Sequence, residues 1–254
     1  MIHAPTPPMD DARQLRRWAL ARGAVTTWDG FVRGWRQSPP GAFRGWAMTL
    51  CIGFVACAAL SFGIASAGRR NANHLTDWDT RLLLRVERGA MSFPDAVLLE
   101  SFGNLAYMVP LTAAAAVVAA RRGRALLALS FPAAYVLQRP LVLIGWWVWD
   151  RQRPRLIAGG VAAPPLHAFP SGHVALAVAV YGLLACLWLR ASRSFVERVL
   201  ACVLLAGLLL ATGWARVRLG AHWPSDVLAG YAIGAAWLLT VVTALRRAEQ
   251  PRAG

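Results

Sequence analysis

Two short stretches of this chain carry residues whose types and spacing can do chemistry. The first is Phe169-Pro170-Ser171-Gly172-His173. An apolar run follows it, so Ser171 stands where a helix begins and is a natural N-cap, and Gly172 lets an anion approach the backbone closely. A helix start offers free N–H groups and a positive dipole end, which together make an anion site. His173 falls in the first turn beside it. The second stretch is Arg216-Val217-Arg218-Leu219-Gly220-Ala221-His222-Trp223-Pro224-Ser225-Asp226. Pro224 fits a helix first turn. His222 and Asp226 are four apart, so they share a face if the helix starts early. A carboxylate there can hold one imidazole nitrogen and leave the other free to attack. Arg216 supplies a planar donor fork for phosphate oxygens. A third stretch, Asp150-Arg151-Gln152-Arg153-Pro154-Arg155, is weak alone and gains meaning from its position. Each piece also has a plain reading: a capped helix, a charged loop end, an interfacial His-Trp pair.

The elements that must position these residues are membrane spans. The chain has 254 residues, 57% of them hydrophobic and 15% charged. A soluble domain carries about 25% charged residues, so a soluble globular enzyme and a disordered chain are both excluded. The mean hydropathy is +0.45. A spanning helix needs about 20 mostly apolar residues. Residues 46–67, 103–120, 125–149, 172–190, 199–215 and 223–245 qualify, which predicts an all-α bundle of six transmembrane helices. All 27 basic residues are Arg, giving a net charge of +15. These arginines lie between apolar runs rather than on one polar face, which reads as membrane topology and not as nucleic-acid binding. Segments 1–45, 121–124, 190–198 and the tail hold sixteen of them, against ten in 68–102, 150–171 and 216–222. That bias puts both termini inside and the three chemical stretches outside. The expected organisation is a basic N-terminal segment 1–45, a six-span unit 46–245 and a tail 246–254.

Smaller features complete the reading. Residues 12–22 suit either a short basic interfacial helix, with Leu15 and Trp18 in the headgroups, or a disordered positive anchor. Residues 75–102 predict an amphipathic helix along the outer surface. Arg139 falls inside the third span. There it calls for a partner in the bundle, a function, or a hydrated place beside a kink at Pro140. Trp146, Trp147, Trp149, Trp214 and Trp223 suggest an aromatic belt. His167 reads as a loop residue, and His74 and His3 carry no motif. Cys51, Cys57, Cys186 and Cys202 lie in apolar runs without metal or redox spacing.

The three stretches, in this order, resemble the type 2 phosphatidic acid phosphatase (PAP2) family, a superfamily that includes the vanadium haloperoxidases. Its pattern is Lys-x6-Arg-Pro, then Pro-Ser-Gly-His, then Ser-Arg-x5-His-x3-Asp. The resemblance runs from about residue 75 to about residue 240. The second motif is complete; the third has Ala215 in place of its leading Ser; the first keeps Arg153-Pro154 but has Trp146 where the family has Lys. The resemblance implies a PAP2-like membrane phosphatase acting on a lipid phosphate or diphosphate, of the undecaprenyl diphosphate or phosphatidic acid type. It implies His222 as nucleophile forming a phosphohistidine, Asp226 orienting it, and His173 as acid and base. Arg153, Arg216, Ser171 and Gly172 would bind phosphate. Arg151 and Arg155 are auxiliary candidates for the charge that Trp146 lacks. No metal or other cofactor is expected, since arginines supply the positive charge. The implied setting is a bacterial inner membrane with the site on the periplasmic side. The alternatives are a non-hydrolytic lipid-phosphate transporter or binding scaffold, favoured slightly by Trp146, and a basic anchor built on residues 1–45. A vanadate-dependent oxidase is a further chemical alternative, disfavoured because its relatives are soluble.

Overall fold

A computed structural model describes residues 9–87, 89, 91–157 and 167–249, with side chains from residue 21 onward. Among the described residues the secondary structure is helical: α1 (Met9–Arg36), α2 (Ala42–Arg70), α3 (Ala72–Glu87), α4 (Phe93–Ser101), α5 (Leu105–Arg121), α6 (Ala125–Val136), α7 (Gln138–Val148), α8 (Gly172–Ala191), α9 (Phe195–Arg218) and α10 (Pro224–Glu249). His3, the end of the tail, and the side chains of Leu15 and Trp18 lie outside what is described. Six helical stretches are long and apolar enough to cross a membrane: α2, α4–α5, α6–α7, α8, α9 and α10. The chain is a multi-pass membrane protein.

Two of the breaks have local causes. The second span begins at Phe93, ten residues before the predicted start, because Ser92 caps a helix there. Its Oγ accepts the Asp95 N–H at 3.2 Å, and Pro94 occupies the first turn. The amphipathic stretch is therefore shorter than expected. It is α3 alone, whose buried stripe is Asp79, Leu83 and Val86. The third span is interrupted at Leu137 rather than bent at Pro140. Pro140 sits in the first turn of α7, where its missing N–H leaves no intrahelical bond unmade. Arg139, for which a bundle partner, a function or a hydrated place beside a kink were the alternatives, is exposed at this break.

Burial within the chain divides the spans. Half of the most apolar stretch of α8 and of α10 is buried, against 11% for α9 and 17% for α2. So α8 and α10 form the centre, and they are the helices that open with the two strongest motifs. Gly230 and Gly234 make their contact possible. A Cβ at Gly230 would lie 2.7 Å from Ser171 O, and one at Gly234 would lie 2.6 Å from Ala175 O. This is the small-residue seam by which membrane helices approach closely. Trp237 fills the space beyond, fully buried, and donates Nε1–H to Ala134 O at 3.1 Å.

From Met9 onward the N-terminal segment is helical, over residues 12–22 and well beyond them. It is a single long helix whose second half packs under α5 and α6. A Cβ at Gly30 would lie 2.5 Å from Ala120 O. Arg121, read from the sequence as a topology charge, donates Nε–H to Thr27 Oγ1 at 2.9 Å. A glycine seam has no hydrophobic signature, so periodicity does not show it.

Replacing Gly234 by Val is expected to force α10 off α8. The expected readout is loss of the monodisperse peak on size-exclusion chromatography in detergent, and a normal peak would contradict the seam.

Candidate active site

The Arg216-to-His222 spacing is a helix end followed by a return of the chain. Gly220 has φ 66°, a left-handed conformation that favours glycine. Its N–H bonds Val217 O at 3.0 Å, and the Ala221 N–H bonds Arg216 O at 3.1 Å. These two bonds make a Schellman cap. The cap ends α9 and folds His222 back, so that the His222 N–H lies 3.2 Å from Arg216 O.

Helix α10 then starts at Pro224, two residues after His222, so His222 and Asp226 are not one helical turn apart. Asp226 stands at the third helical position. Its Oδ2 accepts the Trp223 N–H at 2.7 Å, half of a capping box. Trp223 has no side chain able to supply the other half. Asp79, from α3, does so: its Oδ1 accepts the Ser225 N–H at 2.8 Å and its Oδ2 accepts Ser225 Oγ–H at 2.6 Å. Two carboxylates thus sit at the positive end of α10.

One guanidinium joins them. Arg151 donates from Nη2 to Asp79 Oδ2 at 2.7 Å and from Nη1 to Asp226 Oδ1 at 2.7 Å, and also to Ser225 Oγ at 2.8 Å. Its Cζ lies over the rings of Trp149 and Trp223, 4.7 and 5.1 Å from their centroids. Those two tryptophans hold a cation, while Trp147 is 84% exposed. Arg151 was an auxiliary candidate for phosphate; its fork is committed to carboxylates. Arg155, the other candidate, is exposed.

His222 is buried at this junction. Its Nδ1 lies 2.7 Å from Ala168 O and 3.7 Å from Asp226 Oδ2. A carbonyl can only accept, so Nδ1 carries the proton and Nε2 keeps its lone pair. Arg153 Nη1 lies 3.4 Å from Nε2 and also donates to Ala221 O. Burial holds the His222 pKa well below the ordinary histidine value, and the charges of Arg216, Arg153 and His173 push the same way. Burial lowers Arg153 too, opposed by the charge of Asp226.

The remaining predicted residues surround this imidazole. His173 Nε2 lies 2.7 Å from Asn104 Oδ1. The Ser171 N–H bonds Asp226 O at 3.0 Å, tying the start of α8 to α10. Ser171 Oγ is buried without a hydrogen-bond partner, as is Arg216 Nε. Arg216 pairs through Nη1 with Glu100. Trp146, at the family's Lys position, donates Nε1–H to Pro170 O at 3.2 Å and stacks on His167 with ring centroids 5.3 Å apart. His167 is half-exposed and pairs with Asp150 at 2.8 Å. Sequence reasoning missed Asp79, Glu100 and Asn104. None belongs to a motif, although the buried register of α3 marks Asp79.

This fold and cluster define a multi-pass helical membrane protein with a buried His-Arg-Asp site where α8 and α10 begin. Residues 125–250 match the family model described as PAP2 superfamily. The chain belongs to that superfamily. No curated protein matches. Among solved structures, a transmembrane PAP2-type phosphatidylglycerolphosphate phosphatase from Bacillus subtilis shares the fold. It has a TM-score of 0.60 and 19% identity, over 75% of this chain and 94% of that one.

Two outcomes are expected. Asp79→Ala leaves a buried guanidinium half-paired, a change that costs about 3–5 kcal/mol. A large drop in Tm checks it; a Tm within a degree or two of wild type counts against the network. In protein labelled with 15N-histidine, His222 is expected to remain a neutral Nδ1–H tautomer at about pH 6, where an ordinary histidine of pKa about 6.5 is mostly charged. A doubly protonated ring at that pH would contradict the assignment.

Proposed function

We propose that the protein is an integral-membrane lipid phosphatase that hydrolyses a phosphomonoester or diphosphate headgroup through a phosphohistidine. The observation that carries this reading is His222: a buried neutral imidazole, proton fixed on Nδ1 by Ala168 O, lone pair on Nε2 beside Arg153. A structural histidine needs no such arrangement, whereas a nucleophile needs that lone pair at neutral pH.

In this reading Nε2 of His222 attacks phosphorus. The bond from phosphorus to the lipid-side oxygen breaks, and His173 gives that oxygen a proton. His173 then takes a proton from water as the water attacks phosphorus, and the P–N bond breaks to release phosphate. Arg153, Arg216, Ser171 Oγ and the Gly172 N–H hold the phosphoryl oxygens, where charge is spread in the transition state. Asp226 steadies the imidazolium side of His222 from 3.7 Å, with Arg151 fixing the carboxylate. The arginines supply the charge that a metal would otherwise bring.

The substrate is an amphiphile, because the site lies where spans meet the interface. Undecaprenyl diphosphate, phosphatidic acid and phosphatidylglycerol phosphate are the candidates, the last being the substrate named for the similar fold from Bacillus subtilis. Residues 46–245 act as the catalytic unit, with residues 1–45 and 246–254 on the cytoplasmic side and the site facing outward, following the arginine bias.

Detergent-purified protein is expected to release phosphate from at least one of these lipids in EDTA. His222→Ala should lower the rate by about a thousandfold or more. His173→Ala should lower it by about 10²–10⁴. Acid-labile labelling of wild type by a 32P-lipid, absent in His222→Ala, would identify the intermediate. Folded protein that hydrolyses none of the panel would turn the reading to a non-hydrolytic transporter or scaffold.

A further inference from the structure

Arg216 is the phosphate-binding arginine of the proposed function, yet its guanidinium already pairs with an anion of the chain itself. Its Nη1 pairs with Glu100 Oε2, and the two side chains are only 7% and 12% exposed. Its Nε is buried with no hydrogen-bond partner. A guanidinium has five N–H donors in a planar fork. Glu100 therefore engages one edge of the fork and leaves donor capacity unused, although an unsatisfied buried donor is costly. A phosphoryl group has the oxygens to fill it.

The place of Glu100 in the fold matters as much as its charge. It lies in the last turn of α4, and the junction from 102 to 104 that follows touches the other side of the site. Asn104 Oδ1 holds His173 Nε2 at 2.7 Å. Gly103 abuts His173 so closely that a Cβ there would lie 3.0 Å from its Cδ2. One short segment thus contacts both the arginine that would bind phosphate and the histidine that would move the proton.

The charges near His222 are closely matched. Arg151 is satisfied by Asp79 and Asp226. Glu100 offsets Arg216. The position where the resemblance expects a lysine is Trp146. A phosphate dianion entering this site meets less net positive charge than three separate cations would offer, and it meets a carboxylate already on Arg216.

We propose that Glu100 is an affinity-setting counter-anion that pairs with Arg216 and must yield to the incoming phosphoryl group. It thereby weakens binding of phosphate dianions and of the inorganic phosphate product. The inference rests on the phosphatase reading for the role of Arg216. Glu100 serves no proton transfer; it sets affinity.

The test uses full-length detergent-purified protein and inorganic phosphate as the probe, measured by equilibrium dialysis and therefore independent of turnover. Glu100→Gln keeps the side-chain volume and a hydrogen-bonding oxygen but removes the charge. It is expected to bind phosphate about tenfold more tightly, since charge-assisted contacts to Arg216 pass to the phosphate. KM for phosphatidic acid should fall in parallel, while kcat stays level or drops as product leaves more slowly. A purely structural ion pair would lower Tm and leave phosphate affinity unchanged, and that result overturns the proposal. If Glu100→Gln does not fold, Glu100→Asp decides instead. Its shorter carboxylate should also tighten phosphate, by a smaller factor, and no tightening overturns the inference. Tighter phosphate binding in a protein that hydrolyses no lipid would refute the phosphatase reading and leave the role of Glu100 standing.

Discussion

The site depends on a buried guanidinium shared by two carboxylates at one helix start. Arg151 reaches Asp79 on α3 and Asp226 on α10, all three almost fully buried. Either carboxylate alone would be costly to bury, and so would the cation. Together they neutralise one another, and the leftover oxygens take the free N–H groups of Trp223 and Ser225. The Trp149 and Trp223 rings add cation–π contacts to the guanidinium. The start of α10 is thereby held, and with it the carboxylate that lies beside His222.

Around that fixed point, three local devices bring the chemistry together. The Schellman cap at Gly220 folds His222 back beside Arg216. The Gly230 and Gly234 seam draws α8 against α10 closely enough for the Ser171 N–H to bond Asp226 O. The Ala168 N–H bonds Arg151 O at 3.0 Å, and Ala168 O then sets the His222 tautomer. Each device uses backbone groups, so the imidazole is oriented chiefly by main chain rather than by the carboxylate that the spacing suggested.

Trp146 shows how a departure from the motif is accommodated. The indole supplies no charge, and it takes up a packing role against the loop that leads to Ser171. It donates to Pro170 O and carries the His167 ring on its face. His167 in turn pairs with Asp150 and stands next to Ala168. The position that the family gives to a cation here braces the segment whose carbonyl holds the catalytic candidate.

The class of fold and the names of most residues in the cluster are legible in the chain without its partners. Span length and hydropathy are properties of the chain, because a bilayer requires about 20 apolar residues whatever the neighbours are. Pro-Ser-Gly-His and Arg-x5-His-x3-Asp are legible because helix starts and caps are local. Tertiary structure decided the partners. Asp79, Glu100 and Asn104 lie 146, 116 and 69 positions in sequence from the residues they bond, and no periodicity reports such pairings. It also decided that Arg151 braces carboxylates while Arg155 stays exposed, and that Arg139 lies on the outside of the bundle. The glycine seams of α1 and α10 escaped notice for the same reason. A missing side chain carries no hydrophobic signal, and its value appears only when another backbone approaches.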